Sequence, residues 1–151
     1  MEIRADDLRR PEVLQLLQQH LHAVAQLSPP ESVHALGLDG LRRPEVSVWT
    51  AWDGDELMGI GALKELSPQH GEIKSMRTAS RYLRQGVAAA LLQHIIEQAG
   101  RRGYERLSLE TGSMAAFAPA LRLYASFGFG ACAPFADYIE DPNSVFMTRA
   151  V

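Results

Sequence analysis

The sequence has little cysteine, no excess of basic residues and no long apolar run. Its one cysteine, Cys132, excludes an internal disulfide and suits a reducing compartment. A net charge of −3 argues against broad binding to nucleic acid or to anionic membranes. The apolar runs are far shorter than a membrane span, and the N-terminal residues, charged from Glu2 onward, do not resemble a secretory signal. We therefore expect one cytosolic domain over residues 1–151, with neither nucleic acid nor a membrane as its partner.

The pattern of apolar residues and turn signals predicts an α/β (α+β) protein. Helices between strands imply crossover connections, while three strands in succession imply an antiparallel meander. The sheet should be mixed and mostly antiparallel, of about six to seven strands, with helices on both faces. In the first half of the chain we expect a strand at 2–5, a helix from Pro11 to Leu27, a loop with one short helix up to Pro44, and strands at 46–52, 57–66 and 72–78. In the second half we expect a helix from Val87 that ends before Gly103, a strand at 106–111, a helix at 114–127 disturbed by Pro119, and strands at 131–138 and 144–151.

The stretch YLRQGVAAALL, residues 82–92, starts a helix without a Ser, Thr or Asp cap. A bound anion can take the place of that cap, because the first amides of a helix have no partners within the helix. Gly86 lets a ligand approach the backbone, Ala88 and Ala89 keep the next turn small, and Arg84 can add a full charge. The alternative is an ordinary core helix after a loop that tolerates glycine, and this stretch alone favours neither. Neither GxxxxGK[ST] nor GxGxxG occurs, so kinase and dinucleotide-binding interpretations lose their usual support.

The segments EIKSMRT, RQGVAAALL and LRLYASFGF, in this order, resemble the GNAT superfamily of N-acetyltransferases along essentially the whole chain. The resemblance implies a GNAT fold with acetyl-CoA as co-substrate, its pyrophosphate held by the loop and first turn around Gly86. Two positions depart from the family pattern: Leu83 replaces an Arg or Gln, and Phe117 replaces an Asn that contacts the cofactor in many members. The cofactor-binding residues implied by the resemblance are Met76, Arg77, Thr78, Arg84, Gln85, Gly86, Val87, Ala88, Ala89, Thr111 and Phe117.

Tyr124 and Glu110 are the candidate catalytic residues. Tyr124 matches the family tyrosine near the thioester sulfur, and a phenol of pKa about 10 is protonated at neutral pH, so it can donate to a departing thiolate. The alternative is a structural tyrosine packed beside Phe127 and Phe129. Glu110, on the strand beside the expected cleft, could deprotonate an amine acceptor or bind its positive charge. Glu72 is a weaker candidate, for which we expect a surface ion pair.

The expected function is transfer of an acetyl group from acetyl-CoA to a primary amine of a small molecule or an exposed amino group, by direct attack in a ternary complex. A binding module of another class, a decayed acyl-CoA sensor, is the alternative, and an oxygen acceptor is a third option. We expect a homodimer from family habit. We expect no metal site, because the histidines lack ligand spacing, and we place Cys132 in a core strand. The late strands are expected to shape the acceptor pocket through Phe135, Asp137, Tyr138 and Asn143.

Overall fold

The computed structural model describes the chain from Met1 to Val151. Short 3₁₀ turns precede α2, α3 and α4, at Pro30–Ser32, Ser80–Tyr82 and Ala115–Phe117. The helices and strands are β1 (Glu2–Ala5), α1 (Pro11–Leu27), α2 (Leu38–Leu41), β2 (Val46–Asp53), β3 (Glu56–Ser67), β4 (His70–Thr78), α3 (Val87–Arg101), β5 (Arg106–Gly112), α4 (Ala118–Ser126), β6 (Gly130–Ala131) and β7 (Ser144–Ala150).

The strands form one seven-stranded sheet in the order β1-β2-β3-β4-β5-β7-β6. All neighbours are antiparallel except β4 and β5, which are parallel. The β4–α3–β5 connection is a crossover that brings the chain back to the end of the sheet from which β4 started, so β5 runs parallel to β4. The expected mixed, mostly antiparallel sheet with helices on both faces is confirmed. None of the helices has the length and apolar character needed to cross a membrane.

The parallel pair between β4 and β5 is short. Pairing is limited to His70 with Arg106, Gly71 with Leu107 and Glu72 with Ser108, although both strands continue well beyond these residues. On β4 the register shifts around Ser75, whose φ of 57° is left-handed, so the strand carries a bulge there. We call the opening between residues 73–78 of β4 and residues 109–112 of β5 the strand gap. Its two backbone edges have no strand partner and are therefore free to bind a ligand.

The two faces of the sheet carry different helices. Val87, Leu91, Ile95 and Ala99 form an apolar stripe on α3 that is buried against one face, and Tyr124 of α4 packs into the same cluster. The other face is covered by α1 and α2. Alternation along β5 then separates two kinds of residue: Leu107 and Leu109 point toward α3 and α4, while Ser108 and Glu110 point to the side of α1.

Two predicted elements need correction. The helix expected at 114–127 begins only at Ala118, as α4, after a separate 3₁₀ turn. Pro119 lies in its first turn, where its missing amide hydrogen needs no partner. The strand expected at 131–138 is wrong beyond Ala131. Pro134 lacks the amide that a continued ladder requires, and Ala136, at φ 49°, turns the chain away. Cys132 is consequently half-buried at the end of a very short strand and is not a core residue.

Candidate active site

The start of α3 presents a run of unpartnered backbone amides. Gly86, at φ 82°, is the N-cap residue, and no side chain caps the helix. The first bond of the helix runs from the Ala90 amide to the Gly86 carbonyl at 3.0 Å, and the amides from Arg84 to Ala89 donate to no protein acceptor. The first turn holds no acidic residue, and a Cβ added at Gly86 would meet nothing within 4 Å. This terminus therefore has both the donors and the partial positive charge that a phosphate group needs.

The loop before this terminus also bears a positive charge. Arg84 is exposed and has a left-handed φ of 62°, and the side chain of Gln85 donates back to the carbonyl of Arg81 at 3.2 Å. Val87 is buried under the loop, while Ala88 and Ala89 are half-buried. The structure thus brings together every residue predicted from this stretch. The burial of the apolar stripe shows that α3 is a core helix along its length, in agreement with one of the two interpretations of its sequence. Anion binding at its first turn stays a prediction.

Met76, Arg77 and Thr78 lie on the β4 edge of the strand gap, and Thr111 lies on the β5 edge. The Met76 side chain packs against the α3 cluster, while Arg77 points to the side of α1, where its Nε donates to Nδ1 of His20 at 3.0 Å. Phe117 closes the β5 end: a Cβ added at Gly112 would collide with its ring, so only glycine lets the ring rest on the strand. All the predicted cofactor-binding residues therefore surround either the gap or the α3 terminus.

Tyr124 lies in the core cluster on the side of the sheet that α3 and α4 cover. Its ring is 7% exposed and meets Phe129 edge-on at 5.9 Å between centroids, so the packing expected for a structural tyrosine is present. Its hydroxyl makes no hydrogen bond, yet it is not among the fully enclosed unpartnered polar atoms, which are Ser75 Oγ and His94 Nε2. The oxygen therefore touches accessible space. Burial raises the pKa of Tyr124 to about 12, which keeps the hydroxyl protonated and able to donate at neutral pH.

Glu72 is buried at 2% exposure, so the predicted surface ion pair is wrong. It does pair with Lys74, at 3.2 Å between Nζ and Oε2, but inside the protein, and it also accepts a hydrogen bond from the Tyr138 hydroxyl. Lys74 Nζ donates further to the His34 carbonyl at 3.1 Å and to the Tyr138 hydroxyl at 2.9 Å. His34, from the loop between α1 and α2, and Tyr138, from the connection between β6 and β7, both contact the charged pair and help to enclose it. The Lys74 ammonium group therefore donates all three of its hydrogens to acceptors within the protein.

Glu110 lies on β5 on the same side as Glu72. It is half-buried, and the Ser144 hydroxyl donates to its Oε2 at 2.8 Å. Burial raises the pKa of Glu110, and the negative charge of Glu72 raises it further. The Ser144 hydrogen bond and the charges of His34 and Lys74 act in the opposite direction and lower it. A carboxylate with a raised pKa and one protein donor is a better proton acceptor than an ordinary surface glutamate.

Aromatic rings form the outer wall beside these carboxylates. Tyr138 lies edge-on to Phe135 and to His34, at 5.0 Å between centroids in each case, and 5.5 Å from Phe146. Of the residues predicted to shape an acceptor pocket, Phe135 and Tyr138 therefore do belong to this wall. Asp137 is exposed and makes no hydrogen bond or ion pair through its side chain.

Asn143, the remaining predicted pocket residue, has a structural role. Its amide donates to Asp141 Oδ1 at 2.8 Å and its side chain to Ser32 Oγ at 3.4 Å. Ser32 Oγ donates in turn to the other oxygen of Asp141 at 2.5 Å. These bonds tie the β6–β7 connection to the loop after α1, and so they fix the wall that faces Glu110.

Sequence reasoning missed the contributions of Lys74, His34 and His20. Lys74 was open to inference, because it follows Glu72 at the spacing of one strand face. The positions of His34 and His20 depend on how α1 and its following loop cross the sheet, for which the sequence offered no signal.

We expect His20 to make the fold sensitive to acid. Burial, with a smaller effect from the charge of Arg77, lowers the pKa of His20 to about 4. The unfolded chain takes up this proton near pH 6.5 and the folded chain only near pH 4, so acid favours unfolding within that window. The free energy of unfolding should fall by about 3 kcal/mol between pH 7 and pH 4 on account of this residue. His20→Gln, compared with the wild type by urea melts at several pH values, should lose this dependence.

The matched control is His22→Gln, because His22 lies exposed on the same helix. This variant should keep the wild-type dependence on pH. Equal pH slopes for the wild type and His20→Gln would contradict the prediction.

A model of the "Acetyltransferase (GNAT) family" matches residues 11–129 of the chain. The chain is 65% identical over 149 residues to "Uncharacterized N-acetyltransferase YsnE" of Bacillus subtilis (strain 168), covering 99% of each protein. Among solved structures, it is similar to an acyl-CoA N-acyltransferase of Klebsiella pneumoniae subsp. pneumoniae, with a TM-score of 0.79, 25% identity and coverage of 99% of this chain and 96% of that one. It is also similar to a GNAT family acetyltransferase of Elizabethkingia anophelis with acetyl-CoA bound, with a TM-score of 0.74, 20% identity and coverage of 99% and 97%.

Proposed function

The chain belongs to the GNAT acetyltransferase family, and from this premise we propose that it transfers an acetyl group from acetyl-CoA to a primary amine, by direct attack while both substrates are bound. It is an N-acetyltransferase, as the sequence resemblance implied. One observation supports this choice of reaction: the groups suited to acetyl-CoA and those suited to an amine lie on opposite sides of the strand gap. The unpartnered amides of α3 lie on one side, and the carboxylates of Glu72 and Glu110 lie on the other. Holding two reactants in line in this way supplies much of the rate.

Acetyl-CoA, the co-substrate, supplies an acetyl group already activated as a thioester. The residues present fit it: the amides from Arg84 to Ala89 suit its pyrophosphate, and the free edge of β4 at Met76 and Thr78 suits the amides of its pantetheine arm. A strand amide near Met76 would stabilise negative charge on the acetyl oxygen. Leu83 and Phe117, the departures from the family pattern, leave this fit intact because it depends on backbone groups.

In this proposal Tyr124 donates its proton as the thiolate leaves, and Glu110 accepts the proton of the amine. An alkyl amine of pKa about 10.4 is almost entirely protonated at pH 7, so it must lose a proton before it can attack. Glu72 is less suited, since Lys74 and Tyr138 already occupy its Oε2. Glu72 instead adds the negative charge that helps to raise the pKa of Glu110.

Glu110→Gln should lower kcat about 100-fold, which is the usual contribution of a general base. It should also remove the rise of activity with pH that follows ionisation of Glu110.

Ser144→Ala provides a finer test of the same role. The Ser144 hydrogen bond favours the ionised form, so its loss should raise the pKa of Glu110 further and move the rising limb of the kcat profile to higher pH. A pH–rate profile for each protein is the measurement. If the limb stays in place in both variants, Glu110 is not the base.

The overall proposal is tested by incubating the protein with labelled acetyl-CoA and a panel of amines, with alcohols included for an oxygen acceptor. Thiol release that depends on an amine is expected. Tight coenzyme binding by calorimetry with background release for every acceptor would instead support the acyl-CoA sensor. The homodimer and the cytosolic location stay predictions from the sequence.

A further inference from the structure

Arg77 is a half-buried cation without a carboxylate partner. The ion pairs of the protein are Arg4 with Glu2, Arg9 with Asp7, Lys74 with Glu72, and Arg81 with Glu56, and Arg77 takes part in none of them. Its only hydrogen bond runs from Nε to the ring of His20. Its two terminal nitrogens donate to no protein acceptor and still contact accessible space, since neither is among the enclosed unpartnered atoms.

His20 holds the guanidinium in one orientation. It is buried in α1 at 8% exposure, and its unprotonated Nδ1 accepts from Nε at 3.0 Å. With Nε engaged, the edge that carries the two terminal nitrogens is left free. That edge is a planar fork of donors whose geometry matches a carboxylate. Fixing the side chain beforehand also lowers the entropy that is lost when an anion binds.

The neighbouring cation on the same side of β4 is not available for this task. Lys74 is already bound to Glu72, Tyr138 and the His34 carbonyl. Arg77 is thus the cation on this part of β4 with donors to spare. Desolvation lowers the pKa of Arg77, which reflects the cost of holding its charge there without an anion.

The position of Arg77 points to the acceptor rather than to acetyl-CoA. Its side chain faces α1, on the same side of the sheet as Glu110 and the aromatic wall, whereas the α3 terminus and Tyr124 lie on the other side. Arg77 and Lys74 are three residues apart on β4, a rise of no more than about 10 Å. Lys74 on β4 and Glu110 on β5 each follow the last parallel pair, Glu72 with Ser108, by two residues, so Lys74 marks the level of Glu110 along the strands. Arg77 and Glu110 can therefore contact two ends of one small molecule.

We propose that Arg77, positioned by His20, binds a carboxylate of the acceptor, so that the acceptor is an amino acid or another amine that carries a carboxylate near its amino group. This inference rests on the proposed function. It also assigns Arg77 a side-chain role different from the cofactor contact expected from the sequence.

Matched acceptor pairs that differ only in the carboxylate test the proposal: L-phenylalanine with 2-phenylethylamine, L-alanine with ethylamine, and L-lysine with cadaverine. The amino acid of the preferred pair should be acetylated with a kcat/KM at least about 100-fold above that of its partner. Arg77→Gln should remove most of this preference through a higher KM for the amino acid, and Arg77→Lys should restore part of it. His20→Leu should raise the same KM about fivefold to tenfold, with a smaller change in kcat.

Arg43→Gln, at an exposed site in the loop after α2, is the control and should leave both constants unchanged. Calorimetry supplies a measurement that needs no turnover. N-acetyl-L-phenylalanine, titrated with coenzyme A present, should bind the wild type at least about 10-fold more tightly than Arg77→Gln.

Three results would overturn the proposal: a preference for the amines without a carboxylate, a preference that survives in Arg77→Gln, or a rise confined to the KM for acetyl-CoA. The last of these would assign Arg77 to the coenzyme. If no acceptor is acetylated at all, the proposed function fails, and calorimetry still decides this inference. Loss of N-acetyl-L-phenylalanine binding in Arg77→Gln then supports the carboxylate site, and equal binding overturns it.

Discussion

Ala89→Glu should stabilise the fold and at the same time weaken coenzyme A binding about 100-fold or more. Ala89 is the third residue of α3, and a glutamate there can reach back to the unpartnered amide of Gly86. A negative charge in the first turn also suits the helix dipole, so the free energy of unfolding should rise by about 0.3–1 kcal/mol. The same carboxylate occupies donors that we assign to the pyrophosphate and repels its charge. Calorimetry with coenzyme A and thermal melts measure the two opposite effects.

Two variants separate charge from position. Ala89→Gln has nearly the same shape without the charge, and should weaken binding much less. Gln98→Glu adds the same charge near the far end of α3, about 14 Å along the helix and so beyond the Debye length at physiological salt, and should change the affinity less than about threefold. A stable Ala89→Glu protein that binds coenzyme A like the wild type would show that the α3 terminus is not the phosphate site.

Tyr124→Phe should lower kcat about 100-fold while the KM for acetyl-CoA changes less than about threefold. The ring and its packing against Phe129 remain, and only the hydroxyl that we propose as the proton donor is lost. Folding stability should be nearly unchanged, because this hydroxyl has no hydrogen bond to lose. With a pKa of about 12, Tyr124 keeps its proton up to well above pH 10, so it should not produce an alkaline limb in the ordinary assay range. Steady-state kinetics and thermal melts make the measurement.

Tyr104→Phe is the matched control. Tyr104 is another buried tyrosine, and its hydroxyl donates to Glu65 Oε1 at 2.8 Å. Its loss should cost about 1 kcal/mol of folding stability and leave kcat unchanged, the reverse of the Tyr124 result. Equal turnover by Tyr124→Phe and the wild type would refute the proton-donor role.

The prediction of elements succeeded where the signal is local. The apolar stripe of α3 is set by side-chain periodicity, and the turn signals that bound β2 and β3 are single short stretches, so both are visible without knowing what covers each face. The strand predicted at 131–138 was wrong beyond Ala131. The prediction rested on apolar composition and gave too little weight to two local interruptions of the strand, at Pro134 and Ala136. Pro134 was visible in the sequence, whereas the left-handed turn at Ala136 was not.

In the candidate site, too, the features that depend on local sequence were predicted and those that depend on distant contacts were not. The amide run around Gly86 follows from a glycine and small residues at a helix start, so it was recognised from one short stretch of sequence. Glu72 was misjudged because it is buried against Tyr138, which comes from a distant part of the chain. A charged residue on a strand does not reveal which segment will cover it.

By itself the sequence predicted the order of most helices and strands, the family and the place where we propose that an anion binds, because each prediction depends on residues close together in the chain. Only the tertiary structure decided that β4 and β5 separate after Glu72, that Glu110 is partly desolvated, and that His20 leaves the fork of Arg77 free. These properties arise from contacts between segments far apart in the sequence. Burial and orientation set the charge and reach of such side chains, and both are fixed only when the chain packs.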